Sequence, residues 1–191
     1  DREVYPGKES GEFSTFICEE LLSQRMEGAS RPVHFRGVGT VVAKLFNIVL
    51  PEVAVFGAKD WQQAALIRRM VKDLNFSVKI IVAPTVREAD GLAMSSRNAY
   101  LTSEERQQAT VLIESIRLAR REIGSASEGV PATKLKRLIE KQVAAKSRAR
   151  LDYVEFFHSD SLKPVKRISK GTHMALAVFF DKARLIDNGR I

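Results

Sequence analysis

Two short apolar runs on either side of a helical stretch constrain this 191-residue chain more than any other feature. Val53, Ala54, Val55 and Phe56 carry no polar side chain, and Gly57 breaks the run. After Asp60, the residues Leu66, Ile67, Met70, Val71 and Leu74 recur at the spacing of one helix face. Residues 78–83 then read as a second strand. Strand, helix, strand is a βαβ unit, so the two strands are expected to be parallel and buried. Ligands of such sheets bind beyond the carboxyl ends of the strands. Gly57-Ala58-Lys59-Asp60 lies at one such end, and the loop 84–98 follows the other.

Elsewhere the patterning is less regular. Residues 1–37 read as irregular, with Pro6-Gly7, Ser10-Gly11 and Ser30-Arg31-Pro32 as turn signals. Val38, Val41, Val42, Leu45, Phe46 and Val49 predict a helix over 38–50, ended by Pro51. Asp60 is placed to cap the helix after it, with Gln63 in the capping-box position. Beyond Tyr100 the pattern changes. Thr102-Ser103-Glu104-Glu105 reads as a capping box opening a helix that buries Leu112, Ile113, Ile116 and Ala119 and fades near Gly124. Residues 125–129 read as a linker. Pro131 fits the first turn of a helix marked by Leu135, Leu138, Ile139 and Val143. Residues 151–157, 174–180 and 184–187 read as strands, which predicts a small α+β unit starting near residue 102.

Composition narrows the classes. Apolar residues make up 45% of the chain, enough for a packed core. No apolar run reaches about eighteen residues, so no membrane span is expected. The single cysteine, Cys18, excludes an internal disulfide framework, favours a reducing compartment and is read as a buried or inert thiol. The start at Asp1-Arg2-Glu3-Val4 resembles no signal peptide and is expected to lie within a longer polypeptide. The net charge of +8 invites a nucleic-acid reading. The basic residues are scattered over predicted helix faces and connections, however, with no aromatic-basic platform and no zinc-finger spacing. That pattern suits a solvated basic face, compatible with attraction of anionic metabolites.

Two elements suit phosphate chemistry. In Met94-Ser95-Ser96-Arg97-Asn98, two hydroxyls and loop amides supply donors, and Arg97 adds a planar, permanently charged fork. Asp90-Gly91 marks a turn just ahead. In Gly57-Ala58-Lys59-Asp60, glycine allows close backbone approach, the helix behind it offers unpaired amides, and Lys59 adds a mobile charge. Asp60 suits ribose hydroxyls or the helix cap. Gln62 and Gln63 suit a polar substrate group, a cap or solvent, and Trp61 suits packing. His34, His158 and His173 have no metal-like spacing and read as structural. Together the two elements point to nucleotide chemistry.

Four stretches, EGASRPVHFRGV (27–38), FGAKDWQQ (56–63), PTVREADGLAMSSRN (84–98) and ARLIDN (183–188), carry a close resemblance to the pantothenate synthetase (pantoate–β-alanine ligase) family. The likeness is densest over residues 26–102. It implies an α/β fold: a Rossmann-like nucleotidyltransferase domain, here its C-terminal part at 1–101, and a small α+β C-terminal lid domain at 102–191. It also implies a cytoplasmic homodimer using ATP and Mg²⁺, with pantoate and β-alanine as substrates, and neither nucleic acid nor membrane as partner. The implied reaction adenylates pantoate, releases pyrophosphate, and passes the pantoyl group to the β-alanine amine with loss of AMP. Gly57, Ala58, Lys59 and Asp60 would line the ATP site, with Lys59 at phosphate and Asp60 at ribose. Val86 would meet adenine. Met94, Ser95, Ser96 and Arg97 would form the family's version of the K-M-S-K-S loop, and Gln63 would bind pantoate. The implied catalytic groups are Lys59, Ser95, Ser96 and Arg97, with no protein metal ligand.

The chain departs from that pattern at Ala58, where the family usually has glutamate, and at Val33, where it usually has glycine. The family's H-x-G-H histidines do not occur in it, so residues 1–191 alone are expected to be inactive. Two readings of other classes remain: a catalytically dead nucleotide-binding or dimerisation fragment, and a basic nucleic-acid module.

Overall fold

In a computed structural model describing residues 3–126 and 128–191, the two apolar runs pair as expected. Strands β1 (Val53–Gly57) and β2 (Lys79–Ala83) are parallel, with Val55 opposite Ile81. They belong to the first of two compact units, which divide at Ala83 and Pro84. Its helices are α1 (Glu27–Ser30), α2 (His34–Val49) and α3 (Trp61–Asp73), preceded by a 3₁₀ turn at Leu22–Gln24.

The expectation that both strands would be buried is corrected. Successive strand side chains point to opposite faces. Ala54, Phe56 and Ile80 pack on the core of α2 and α3, where Phe35, Phe46, Leu66, Ile67 and Met70 are buried. Val53, Val55 and Ile81 face the other way and are exposed, Val55 by 64%. Helix α2 also begins earlier than its apolar spacing suggests, and α1 and the 3₁₀ turn interrupt the stretch expected to be irregular. Leu45 and Val49 are exposed, while Phe35, Ala43 and Thr40 are inside. Leu50 ends α2 in a left-handed conformation and donates its N–H to Phe46 O. Leu74, expected inside, is exposed beyond α3. Cys18 is exposed rather than buried.

Gln62 explains how α3 holds the preceding segment. Its buried amide donates to Leu22 O and Arg25 O at 2.7 Å each and accepts from Glu27 N at 3.0 Å. Every polar atom of the side chain is therefore matched. Gly28 sits close by, where a Cβ would fall 1.5 Å from Ser23 O, so only glycine fits.

The second unit spans residues 84–191. Its helices are α4 (Ser103–Gln108), α5 (Val111–Gly124) and α6 (Ala132–Ala144). Strands β4 (Ala149–Phe157), β6 (His173–Phe180) and β7 (Ala183–Arg190) form an antiparallel sheet in the order β4-β6-β7. A two-residue ladder joins β3 (Val130–Pro131) to β5 (Arg167–Ile168). Leu112, Ile116, Leu135, Ile139, Phe156, Met174, Leu176, Val178 and Phe180 form the core between the α5–α6 layer and the sheet.

The Thr102 capping box is present: Thr102 N donates to Glu105 Oε2 at 2.8 Å, and Glu105 N to Thr102 Oγ1 at 3.3 Å. The helix it opens breaks after Gln108, however. Thr110 Oγ1 donates to Gln107 O and Leu112 N to Ala109 O, replacing regular helical bonds with a tighter turn. Pro131 precedes α6 and supplies β3. The linker expected at 125–129 includes Ser127, outside the described residues.

The compact division lies upstream of the expected 101/102 boundary. Residues 84–101 pack with the second unit: Leu92 is 2% exposed within its core, and Arg87 forms a bidentate ion pair with Asp187 of β7 at 2.7 and 2.9 Å. Composition changes after Tyr100, but packing follows the buried side chains.

Two of these packing relations can be measured. Gln62→Leu strands three backbone groups, so it is expected to cost the first unit at least about 3 kcal/mol, since each unmade buried hydrogen bond costs about 1–3. Urea unfolding followed by fluorescence of Trp61, the sole tryptophan, measures it. His173 is buried beside Phe157, with Nε2 3.0 Å from Asn188 Oδ1. Burial lowers its pKa against the opposing Asn188 hydrogen bond, and the Arg190 charge lowers it further. The unfolded chain therefore takes up a proton near pH 6.5 that the folded chain resists. That part of the stability is present above the ordinary histidine pKa and lost as pH falls through the lowered one. Urea midpoints read by circular dichroism from pH 7.5 to 5 should fall in the wild type and fall less in His173→Gln.

Candidate nucleotide-binding elements

The first element starts where β1 runs out. Gly57 is extended and exposed, and a Cβ built there meets nothing within 4 Å. Its open surroundings leave the backbone approachable. Ala58, Lys59 and Asp60 form a 3₁₀ turn leading into α3. Lys59 has its side chain 15% exposed, with Nζ 4.0 Å from Asp60 Oδ1. The capping role considered for Asp60 is not taken up: it stands at the α3 N-cap position without a side-chain cap hydrogen bond. Its carboxylate lies half-exposed at the helix entrance. Gln63 is half-buried in the first turn of α3, and Trp61 is half-buried beside it.

The second element belongs wholly to the second unit. Residues 86–94 double back on themselves. Met94 N donates to Val86 O at 3.0 Å, Glu88 N to Leu92 O at 2.9 Å, and Gly91 N to Glu88 O at 2.9 Å. The turn expected at Asp90-Gly91 is there, and Gly91 takes φ +94°, which favours glycine. Leu92 N donates to Asp90 Oδ1. Ser95 then caps the 3₁₀ turn Ser96–Tyr100, its Oγ accepting from Arg97 N at 3.2 Å. That acceptance leaves the Ser95 O–H available to donate. Ser96 and Arg97 are exposed, as are Met94 and Val86.

Charges behind this exposed tip are paired. Arg106 of α4 bonds Glu88 Oε2 at 2.6 Å through Nη2 and Asp90 Oδ2 through Nη1. The Glu88 pKa is lowered first by the Asn98 amide and then by Arg106; that of Asp90 is lowered by Arg106 and the Leu92 amide. Both carboxylates are thus satisfied, and the positive fork of Arg97 stands at the exposed end.

The structure brings Gly57, Ala58, Lys59, Asp60 and Gln63 together at one strand-to-helix junction, and Val86, Met94, Ser95, Ser96 and Arg97 together in one loop. Gln62, read as suiting a substrate group, a cap or solvent, is instead buried and bonded to the backbone of Leu22, Arg25 and Glu27. Sequence reasoning did not foresee the pairs that fix the second loop, Arg87 with Asp187 and Glu88 with Asn98 and Arg106. The clearest available signal is Asp187, an acid directly after Leu185 and Ile186 in a stretch read as a strand, which calls for a counter-charge where it is buried.

The family model for pantoate-beta-alanine ligase matches residues 1–190. Pantothenate synthetase from Moorella thermoacetica is 49% identical over 186 residues, covering 97% of this chain and 64% of its own. Pantothenate synthetase from Geotalea uraniireducens is 50% identical over 176 residues, covering 92% and 62%. A crystal structure of the enzyme from Thermus thermophilus superposes with a TM-score of 0.88 at 43% identity, over 99% of this chain and 66% of that one. The chain thus spans a little under two thirds of the curated relatives it matches. Both the mixed α/β fold and the near-half identity place it: the chain belongs to the pantoate–β-alanine ligase family.

Proposed function

We propose that this protein serves ATP-dependent condensation of pantoate and β-alanine to pantothenate through a pantoyl-adenylate. The observation that carries the reading is the family match over residues 1–190, with both phosphate-suited motifs inside it. A Francisella tularensis relative, 33% identical with a TM-score of 0.71, is described as complexed with "Beta-gamma ATP and Beta-alanine", which supports the same ligands here.

In this reading the Rossmann-like nucleotidyltransferase portion runs through Leu101 and residues 102–191 form the lid, so the Met94–Arg97 loop serves the nucleotide while packing with the second unit. A pantoate carboxylate oxygen attacks the α-phosphorus of ATP, and the bond to the pyrophosphate oxygen breaks. The β-alanine amine then attacks the acyl carbon, AMP leaves with the bonding pair, and the amine gives up a proton. Lys59 and Arg97 stabilise negative charge on the phosphates, and Ser95 and Ser96 donate hydrogen bonds to them. Asp60 accepts from the ribose, Val86 and Met94 pack around the adenosine moiety, Gly57 and Ala58 offer backbone, and Gln63 orients pantoate. Positioning and exclusion of water supply much of the second step, with no enzyme-bound acyl group required.

Among the described residues no three His, Cys, Asp or Glu side chains gather as a metal cage. The donor set suits Mg²⁺ held mainly through phosphate oxygens, where it would neutralise charge on the departing pyrophosphate. A homodimer in the cytoplasm completes the reading.

Pantoate-dependent exchange of pyrophosphate into ATP by the native gene product tests it. Exchange is expected only with pantoate, and exchange indifferent to pantoate overturns the substrate assignment. Lys59→Ala and Arg97→Ala are each expected to raise the adenylation barrier by about 3 kcal/mol, the loss typical of one transition-state donor. Single-turnover adenylation at the wild-type rate in both variants would remove those roles.

A further inference from the structure

The exposed residues of the Met94–Arg97 loop make few contacts of their own, so something behind them must fix their geometry. Asn98, immediately after Arg97, is that pin. Its Nδ2 donates to Ala93 O at 3.1 Å, closing the loop at the residue just before Met94. The same nitrogen donates to Glu88 Oε1 at 2.7 Å. Glu88 is held in turn by Arg106 Nη2 at 2.6 Å, and Arg106 is fixed to Asp90 through its other terminal nitrogen. Asn98 N also donates to Ser95 O at 3.0 Å, so the pin defines the 3₁₀ turn that presents Ser96 and Arg97. The loop's two ends therefore meet at one amide, and that amide is aimed by one carboxylate.

We infer that Glu88 is a positioning residue for the phosphate-binding loop, acting through Asn98 to preorganise Ser95, Ser96 and Arg97 for a triphosphate. This rests on the nucleotide reading of that loop. Ordering a free loop on binding costs about 1–2 kcal/mol per residue in backbone entropy, and a loop already pinned avoids that cost. Glu88 touches no ligand itself. Its removal leaves the phosphate donors in place and loosens their arrangement.

The test uses the native gene product, with amide hydrogen exchange over residues 94–98 in the absence of ligand and the dissociation constant for ATP by calorimetry. Glu88→Ala is expected to speed exchange at Met94, Arg97 and Asn98, whose amides donate to Val86 O, Ser95 Oγ and Ser95 O, and to weaken ATP by about tenfold, as modest misplacement of binding groups does. Asn98→Ala should do the same, and the double variant should be no worse than either single. Glu88→Gln keeps an acceptor for the Asn98 amide and should recover most of the affinity, which separates positioning from general unfolding. Unchanged loop exchange or unchanged ATP affinity in Glu88→Ala overturns the inference, and so do fully additive effects with Asn98→Ala. Failure of the ligase reading shows separately, as wild-type protein that binds ATP without pantoate-dependent pyrophosphate exchange.

Discussion

A carboxylate as deeply buried as that of Asp187, 1% exposed, has to meet a positive charge in good geometry. Arg87 provides it with two parallel hydrogen bonds, and Asn188 N adds a third to Asp187 Oδ1 at 2.8 Å. One residue set 100 positions away in the chain thereby fixes where the start of the second unit can run. Arg87 Nη1 also donates to Gly91 O, so the ion pair and the turn are one assembly. With Arg87 held on β7, Leu92 falls into the core of the second unit, and Gly91 lies where a Cβ would press within 3.0 Å of Arg117 Nη2. The residues left over, Ser96 and Arg97, face solvent.

The two phosphate-suited elements present their charges by different means. Lys59 is mostly covered and sits beside an acid, on a turn held by the short step from Gly57 to α3. An ammonium on a flexible stem suits contact with a phosphate whose position shifts during reaction. Arg97 carries a rigid fork, which benefits from fixed placement, and its loop is the one pinned at the base by Asn98 and Glu88. The firmer support lies where the recognising group is itself planar and directional.

Much of this was legible without coordinates, and the limits follow physical lines. The apolar faces of α3, α5 and α6 announce themselves because burial imposes a period on the sequence, whereas β1 and β2 announce themselves as short apolar runs, which say strand but not which face is covered. The ladder of Val130 with Ile168 has two residues per strand and so no period to read. Asp60 and Thr102 satisfy the same capping pattern, but only Thr102 caps, because the 3₁₀ turn at Ala58–Asp60 changes the backbone at Asp60. The hydroxyls and guanidinium of residues 95–97 stand out in the sequence because a loop that carries them is suited to an anion, and the structure leaves Ser96 and Arg97 exposed. Of the side chains behind that loop only Asp187 leaves a sign, as an acid within a strand; its partner Arg87 and the pair Glu88–Arg106 are brought together by tertiary folding and leave no local pattern.

The departures from the family's usual residues can be weighed on the same terms. Val33 has φ −98° and ψ −2°, a backbone open to any L residue, and its side chain is 76% exposed. Nothing in that conformation requires the customary glycine. Ala58 is different, because it stands next to Lys59 at the mouth of the first element. A glutamate there would add a negative charge within a few residues of a lysine already beside Asp60. Alanine leaves the turn's backbone amides in place and removes that opposing charge. The field near Lys59 is then more positive, which suits an anion, and Asp60 is the carboxylate that remains at the turn.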